Sequence, residues 1–241
     1  MSHSDLAAER GEPSYVWRSG QVRRLALIAR WTKPGGRLLD NGCGLGAYAQ
    51  ALAPICGQRF GLEVEPKRAA VARDRCTGVV VGRGERLPFA DDSFDLILSN
   101  EVIEHVADDR LALAEMVRAA RPGGRIALFC PNRWYPVEQH GIYWRGRYHF
   151  GNIPFVNYLP RSLRGRLAPH VRAYSAADLR QLLAGLPLKT IHHSRIFGGY
   201  DNIAGRWPRL GRWLRRALYW AEGTPLALFG LSHFLVLEKA G

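Results

Sequence analysis

Short, unbroken apolar runs alternate along the first half of the chain with segments whose apolar positions recur every three or four residues. VRRLALIARW, residues 22–31, places Leu25, Ile28 and Ala29 on one helical face and stops at Pro34-Gly35-Gly36. RLLD then reads as a buried strand, followed by a glycine-rich loop and a helix through AYAQALA. RFGLEVE is a second strand, leading into the helix PKRAAVARDRC, whose Pro66 stands where a missing N–H does no harm. VVVG is a third strand and FDLILSN, after the turn residues ADDS, a fourth. VADDRLALAEMVRAAR reads as a helix stopped by Pro122-Gly123-Gly124, and RIALFCPN as a fifth strand. Strands with continuous apolar cores, separated by helices, predict a mostly parallel sheet covered on both faces: a doubly wound α/β fold through Asn132.

Beyond Asn132 the pattern changes. Residues 133–173 are rich in aromatic residues, proline, glycine and histidine and keep no sustained period. So long an irregular stretch inside a domain is more often a functional insertion than a linker. Regular pattern resumes with SAADLRQLLAGL, a helix capped by Ser175, then a strand near LKTIHHSRIF and a last strand SHFLVLEK. Between those strands lies a second insertion, residues 198–230. It contains PRLGRWLRRALYWAEG, with Leu210, Trp213, Leu214, Ala217 and Leu218 on one helical face and Arg209, Arg212, Arg215 and Arg216 around the others. Packing of the apolar face on the domain is the expected use; contact of residues 208–222 with an anionic membrane surface or an amphipathic acceptor is the alternative.

Composition narrows this picture modestly. A chain of 241 residues, 47% hydrophobic, can bury one full core, so a single domain over 1–241 is expected. The net charge of +13 is almost wholly arginine, since the lysines are only Lys33, Lys67, Lys189 and Lys239. Such a balance suits nucleic acid or an anionic membrane, and equally a general arginine bias. Cys43, Cys56, Cys76 and Cys130 form no CxxC pair, so neither a zinc site nor a disulfide framework is expected, and a reducing cytoplasm is. MSHSDLAAERGEPS lacks signal-peptide character, and TPLALFGLSHFLVL is too interrupted to span a bilayer. Asp91, Asp92 and Asp95 read as turn and capping residues, and no metal is expected.

LLDNGCGLGAY holds three glycines in five positions, Gly42, Gly44 and Gly46. Glycine is costly in ordinary elements, so the loop marks a backbone that something must approach closely. Gly42, Gly44 and Ala47 match G-x-G-x-x-A, which keeps a dinucleotide open. Asp40, two residues earlier, would repel phosphates and suits a cationic amine. Glu63, ending the second strand, could accept hydrogen bonds from ribose hydroxyls under either reading.

LLDNGCGLGAY, GLEVEP, GERLPFADDSFDLILSNEVIEHV and RAARPGGRIALFCPN, in that order, resemble the class I S-adenosylmethionine-dependent methyltransferases, especially the type 11-like group with its LPF…SFD segment. The resemblance covers roughly residues 20–132. It implies a Rossmann-like seven-stranded sheet with an antiparallel last strand, S-adenosyl-L-methionine as cofactor and in-line methyl transfer. In that pattern Asp40 holds the methionine amine, Gly42, Cys43, Gly44 and Gly46 let the cofactor lie on the backbone, and Glu63 binds the ribose. Gly84 and Glu85 match the adenine segment, and Asn100, Glu101 and His105 the pocket wall. The sequence departs from relatives in reading GRGE where an aspartate usually follows the third strand; Arg83 cannot accept a hydrogen bond from adenine.

Both insertions are expected to rise on the cofactor rim as a lid over the acceptor. His140 is the first candidate for a general base, with Glu138 orienting it; His149, His170 and Tyr174 are further candidates. Trp134, Tyr135, Tyr143 and Trp144 would wall a flat or apolar acceptor, or simply pack the lid. The expected acceptor is a small or amphipathic molecule such as a quinone, lipid, glycan or secondary metabolite. Three alternatives stand beside it. A nucleic-acid methyltransferase suits the charge, but SNEV lacks the prolines of DPPY- or NPPF-type motifs. An NAD-dependent oxidoreductase and a non-catalytic S-adenosylmethionine-binding protein complete the set.

Overall fold

The computed structural model describes residues 17–241; the N-terminal segment read above as lacking a signal peptide lies outside the described residues. The chain runs through α1 (Ser19–Ala29), β1 (Arg37–Asn41), α2 (Ala47–Ala51), β2 (Gln58–Glu63), α3 (Pro66–Ala72), β3 (Gly78–Val81), β4 (Phe94–Asn100), α4 (Asp109–Ala119) and β5 (Ala120–Pro131). It continues through β6 (Val137–Glu138), β7 (Ile142–Trp144), β8 (Arg147–His149), β9 (Ile153–Pro154), α5 (Arg161–Leu167), α6 (Ala176–Leu183), β10 (Leu188–Ile196), α7 (Asp201–Arg206), α8 (Pro208–Ala221) and β11 (Ser232–Lys239).

The apolar runs form one seven-stranded sheet in the order β10-β11-β5-β4-β1-β2-β3. β1 to β5 pair in parallel, whereas β11 runs antiparallel to both β5 and β10. Successive residues of a strand point to opposite faces, and here both faces are covered, which is why the runs are unbroken. Leu39, Ile97 and Leu128 face a core with Leu113 and Met116 of α4 and Leu179 of α6. Their neighbours Leu38, Leu96, Leu98 and Phe129 face a second core with Ile28, Leu52 and Phe234. Each such side chain contributes about 1.5–3 kcal/mol by leaving water.

Local chemistry sets the element ends. Asp108 caps α4 by accepting the Leu111 N–H, and Ser175 with Asp178 forms a capping box at α6. Asp95 accepts the Arg37 N–H at 2.8 Å and pairs with Arg121, while Asp91 pairs with Arg118 and Asp92 with Lys239, so these acids act in turns. Pro122-Gly123-Gly124 is not a loop between helix and strand. Phe94 pairs with Ala120 and Leu96 with Arg125, so the three residues form an irregularity inside an early-starting β5.

The first insertion also differs from its irregular reading. β6 pairs with β9 and β7 with β8, both antiparallel, and α5 follows. Strands this short hold too few positions for a period of two to show in sequence. Their hairpin turns at Arg145-Gly146, both at positive φ (48° and 76°), the mirror-image turn that suits strand twist, without the usual Asn-Gly or Asp-Gly signal.

In the second insertion the helix forms as expected, but the side turned inward is rotated from the expected face: Leu214, Ala217 and Leu218 are half-buried, whereas Leu210 and Trp213 are exposed. Gly211 is turned inward, where an added Cβ would lie 2.4 Å from the Ala204 Cα. Arg23 stacks 3.7 Å over the Tyr219 ring and pairs with Glu222, and Arg215 donates to Asp201 at 2.9 Å. The opposite side leaves Trp213 66%, Trp220 71% and Leu210 49% exposed. A close helix contact through glycine and half-buried arginine pairs anchors α8, a combination that an apolar-face count does not weigh.

Candidate active site

Strand order reverses between β1 and β4, and such sheets bind ligands beyond the strand carboxyl ends at that reversal. The loop after β1 lies there. Gly42, Gly44 and Gly46 have φ of 79°, 54° and 77°, a left-handed backbone that side chains resist. The Gly42 and Cys43 N–H groups both donate to the Leu62 carbonyl, at 2.8 and 2.9 Å, tying the loop to β2. The Cys43 side chain turns inward against Gly61, beside Cys76, so that only its backbone faces the loop's concave side.

Asp40 is 3% exposed at the end of β1, and Glu63 is buried at the end of β2. The Glu63 carboxylate accepts the Gly44 N–H and the Glu65 N–H, each at 2.9 Å, and so holds the loop in place. Burial pushes the Asp40 carboxyl up to about 7; the Ala49 N–H opposes that, and the Glu63 charge adds to it. Two buried carboxylates beside a glycine cradle form a site short of positive charge. Asn41 Oδ1, buried and without a hydrogen-bond partner, lies beside Gly84. Glu85 accepts the Ala107 N–H at 2.7 Å and ties the loop after β3 to the loop after β4.

Arg24 of α1 organises the segment that follows β4. It donates to Asn100 Oδ1 at 2.5 Å, to Glu101 at 2.6 Å and to Ser232 Oγ at 2.8 Å. Glu101 is held at φ 56°, a strained conformation that these bonds maintain. Despite burial, Arg24 and Ser232 hold the Glu101 carboxyl down at about 2. The Tyr48 hydroxyl borders Asn100 and Arg24 and is pushed up to about 12, chiefly by burial.

The expected pair in the first insertion is present. Glu138 Oε1 accepts His140 Nδ1–H at 3.0 Å and the His140 backbone N–H at 3.0 Å. Glu138 Oε2 accepts Arg164 at 2.6 Å, and Arg164 is also held by Asn157 and the Val171 carbonyl. Burial opposes ionisation of Glu138, but His140 and Arg164 hold it at about 2. The His140 ring meets the His105 ring edge-on at 5.3 Å, joining the insertion to the segment after β4. His105 Nδ1 in turn sits 3.3 Å from the His170 carbonyl.

Other residues singled out from sequence fall elsewhere. Tyr174 is buried with its hydroxyl against Asp109 and the Ile103 carbonyl, a structural post. His149 is exposed on β8, and His170 supports the dyad through the His140 carbonyl at 3.0 Å. Tyr143 packs on Tyr148 and His170, whereas Trp144 and Trp134 are exposed. Arg24, Asn41, Tyr48, Glu104 and Arg164 were not singled out. Asn41 and Tyr48 lie inside the glycine motif and Glu104 in the segment NEVIEHV, so each carried a signal; Arg24 meets Glu101 across 77 positions of sequence, which no spacing reveals.

A family described as a methyltransferase domain matches residues 39–128. A demethylmenaquinone methyltransferase of Beutenbergia cavernae is 30% identical over 206 residues, covering 76% of this chain and 83% of that one. The chain belongs to the S-adenosylmethionine-dependent methyltransferase family. Within this family, a demethylmenaquinone methyltransferase of Corynebacterium glutamicum is 34% identical over 113 residues, and the match spans 47% of each chain. The crystal structure of an S-adenosylmethionine-dependent methyltransferase from Mesorhizobium loti superposes with a TM-score of 0.62 at 20% identity, covering 92% of this chain and 98% of that one. That likeness places this family member's sheet, antiparallel last strand included, in the methyltransferase fold.

Proposed function

We propose that the protein transfers a methyl group from S-adenosylmethionine to a small or amphipathic acceptor, with a quinone-like ring the best-supported class. The observation that carries the reading is the pair of buried carboxylates, Asp40 and Glu63, on a glycine cradle, an arrangement that calls for a cationic ligand with hydroxyls rather than for phosphates. Asp40 would hold the ammonium group, the Gly42–Gly46 backbone would lie against the cofactor, and Glu63 would meet the ribose. Gly84 with Asn41 would line the adenine end, where the partnerless Asn41 Oδ1 can accept the amino hydrogen that Arg83 cannot. When bound, the cofactor supplies a methyl group on a positively charged sulfur.

The protein's own share is alignment and proton handling; alignment is worth about 7–11 kcal/mol of a displacement barrier. Glu138 holds His140 with Nδ1 protonated, leaving Nε2 to take a proton from an acidic acceptor. The two insertions would cover the acceptor. Support for a quinone-like acceptor comes from relatives that are demethylmenaquinone methyltransferases.

Such acceptors reside in membranes, and the exposed side of α8 suits their delivery. Trp213 and Trp220 stand outward among Arg209, Arg212 and Arg216, which fits the headgroup layer of an anionic bilayer. Among the described residues no helix is long and apolar enough to cross a membrane. The reading is tested by calorimetry with S-adenosylhomocysteine and NAD, followed by incubation of labelled S-adenosylmethionine with demethylated quinols. Tight S-adenosylhomocysteine binding and a labelled quinol are expected; tighter binding of NAD would overturn it. His140→Ala should lower turnover by about a hundredfold while leaving cofactor affinity unchanged.

A further inference from the structure

Among the described residues, Glu104 is the least accounted-for buried group. It is 1% exposed, and both of its carboxylate oxygens lack a hydrogen-bond donor. The group facing it is a second carboxylate, Glu101, whose charge is already matched by Arg24. Two carboxylates are acceptors only, so the space between them calls for a proton or a cation. Burial and the Glu101 charge push the Glu104 carboxyl well up, so it keeps a proton unless a cation takes that place, and His105 Nε2 lies 3.9 Å away.

A third donor arrives from the insertion. One carboxylate oxygen of Glu104, one ring nitrogen of His105 and one of His140 all lie within 4.8 Å of one another. Donors bonded to one divalent cation at about 2.0–2.2 Å stand roughly 3.3 Å apart, so closure requires about an ångström of side-chain movement. The outer contacts of both rings fit this use. His140 Nδ1 is bonded to Glu138 and His105 Nδ1 faces the His170 carbonyl, which leaves Nε2 of each ring to coordinate. A carboxylate or carbonyl on the far nitrogen is how metal-binding histidines are oriented. Both rings are partly exposed, so that further coordination positions open to solvent under the insertion.

We propose that Glu104, His105 and His140 bind a divalent transition-metal cation. Two imidazoles with a carboxylate suit Mn2+, Fe2+, Co2+ or Zn2+ rather than Mg2+ or Ca2+, which prefer all-oxygen shells. The inference deepens the methyltransferase reading, on which its role but not its geometry rests. A cation at this place would hold an acceptor oxygen and make its hydroxyl more acidic, which would make His140 a ligand rather than the base.

The test uses the full chain stripped with a chelator and titrated with Co2+, read by its visible absorption and by calorimetry, with Zn2+ as competitor. S-adenosylhomocysteine binding is measured on the same metal-free sample. One Co2+ per chain, displaced by Zn2+, is expected, and Glu104→Gln, His105→Asn and His140→Ala should each weaken it at least about tenfold. His105 and His140 are partly exposed, so their variants retain the fold even where Glu104→Gln does not. A wild-type chain that binds S-adenosylhomocysteine but neither metal overturns the cation site alone, as does metal binding unchanged in both histidine variants. Failure to bind S-adenosylhomocysteine beside intact Co2+ binding overturns the cofactor reading and leaves the cation site standing.

Discussion

Asp40 gives the sharpest test of the cofactor assignment, because burial lifts its carboxyl from 3.8 to about 7 and a cationic ligand should reverse that. In the free protein the rise corresponds to about 4 kcal/mol of cost for carrying the charged form at neutral pH. An ammonium group against Asp40 would restore ionisation, so binding below about pH 7 must expel a proton. Affinity for S-adenosylhomocysteine should therefore rise about tenfold per pH unit up to about pH 7, leaving it about a hundredfold weaker at pH 5 than at the plateau. Calorimetry at pH 5–6 in two buffers of different ionisation enthalpy counts the proton directly, and close to one should be released, falling to about half near pH 7. The same carboxyl works against folding. The folded chain binds the Asp40 proton more tightly than the unfolded one, so its contribution to stability is complete below about pH 4 and is lost as pH rises to 7. Asp40→Asn should then make the chain more stable at pH 8, by up to about 4 kcal/mol, while abolishing the rising limb of the affinity curve. Affinity that ignores pH, with no proton released, would refute the reasoning.

Further outcomes follow from other parts of the site. Gly42→Ala would place a Cβ 2.3 Å from Val102 Cγ2 at φ 79°, and should cost about 2–4 kcal/mol in urea unfolding along with cofactor binding. Arg164→Leu strands the buried Glu138 carboxylate, and a loss of about 3–5 kcal/mol is expected by thermal or urea denaturation. Replacing Trp213 and Trp220 together by serine should release the protein from anionic vesicles in co-sedimentation, yet change stability by under about 0.5 kcal/mol because both rings are exposed.

The sheet was legible in the sequence because it rests on local, periodic information. Leu38 and Leu39 must both be apolar when both faces of β1 are covered, and the run shows it whatever packs above. The glycine loop, Asp40 and Glu63 were legible for a related reason: each sits at a strand end, and strand ends meet wherever the sheet reverses its order. Glu138 and His140 stand two residues apart, so their pairing too was written locally. What tertiary structure alone decided was anything joining distant segments. Arg24 reaches Glu101 and Ser232, Arg164 satisfies Glu138, and the insertion lays His140 against His105 and Glu104. The orientation of α8 belongs to the same class, since its apolar pattern specified a face but Gly211 on Ala204 and Arg23 on Tyr219 chose which face turned inward. A strand end is determined by its neighbours in sequence, whereas a buried charge is determined by whatever partner the completed fold brings to it.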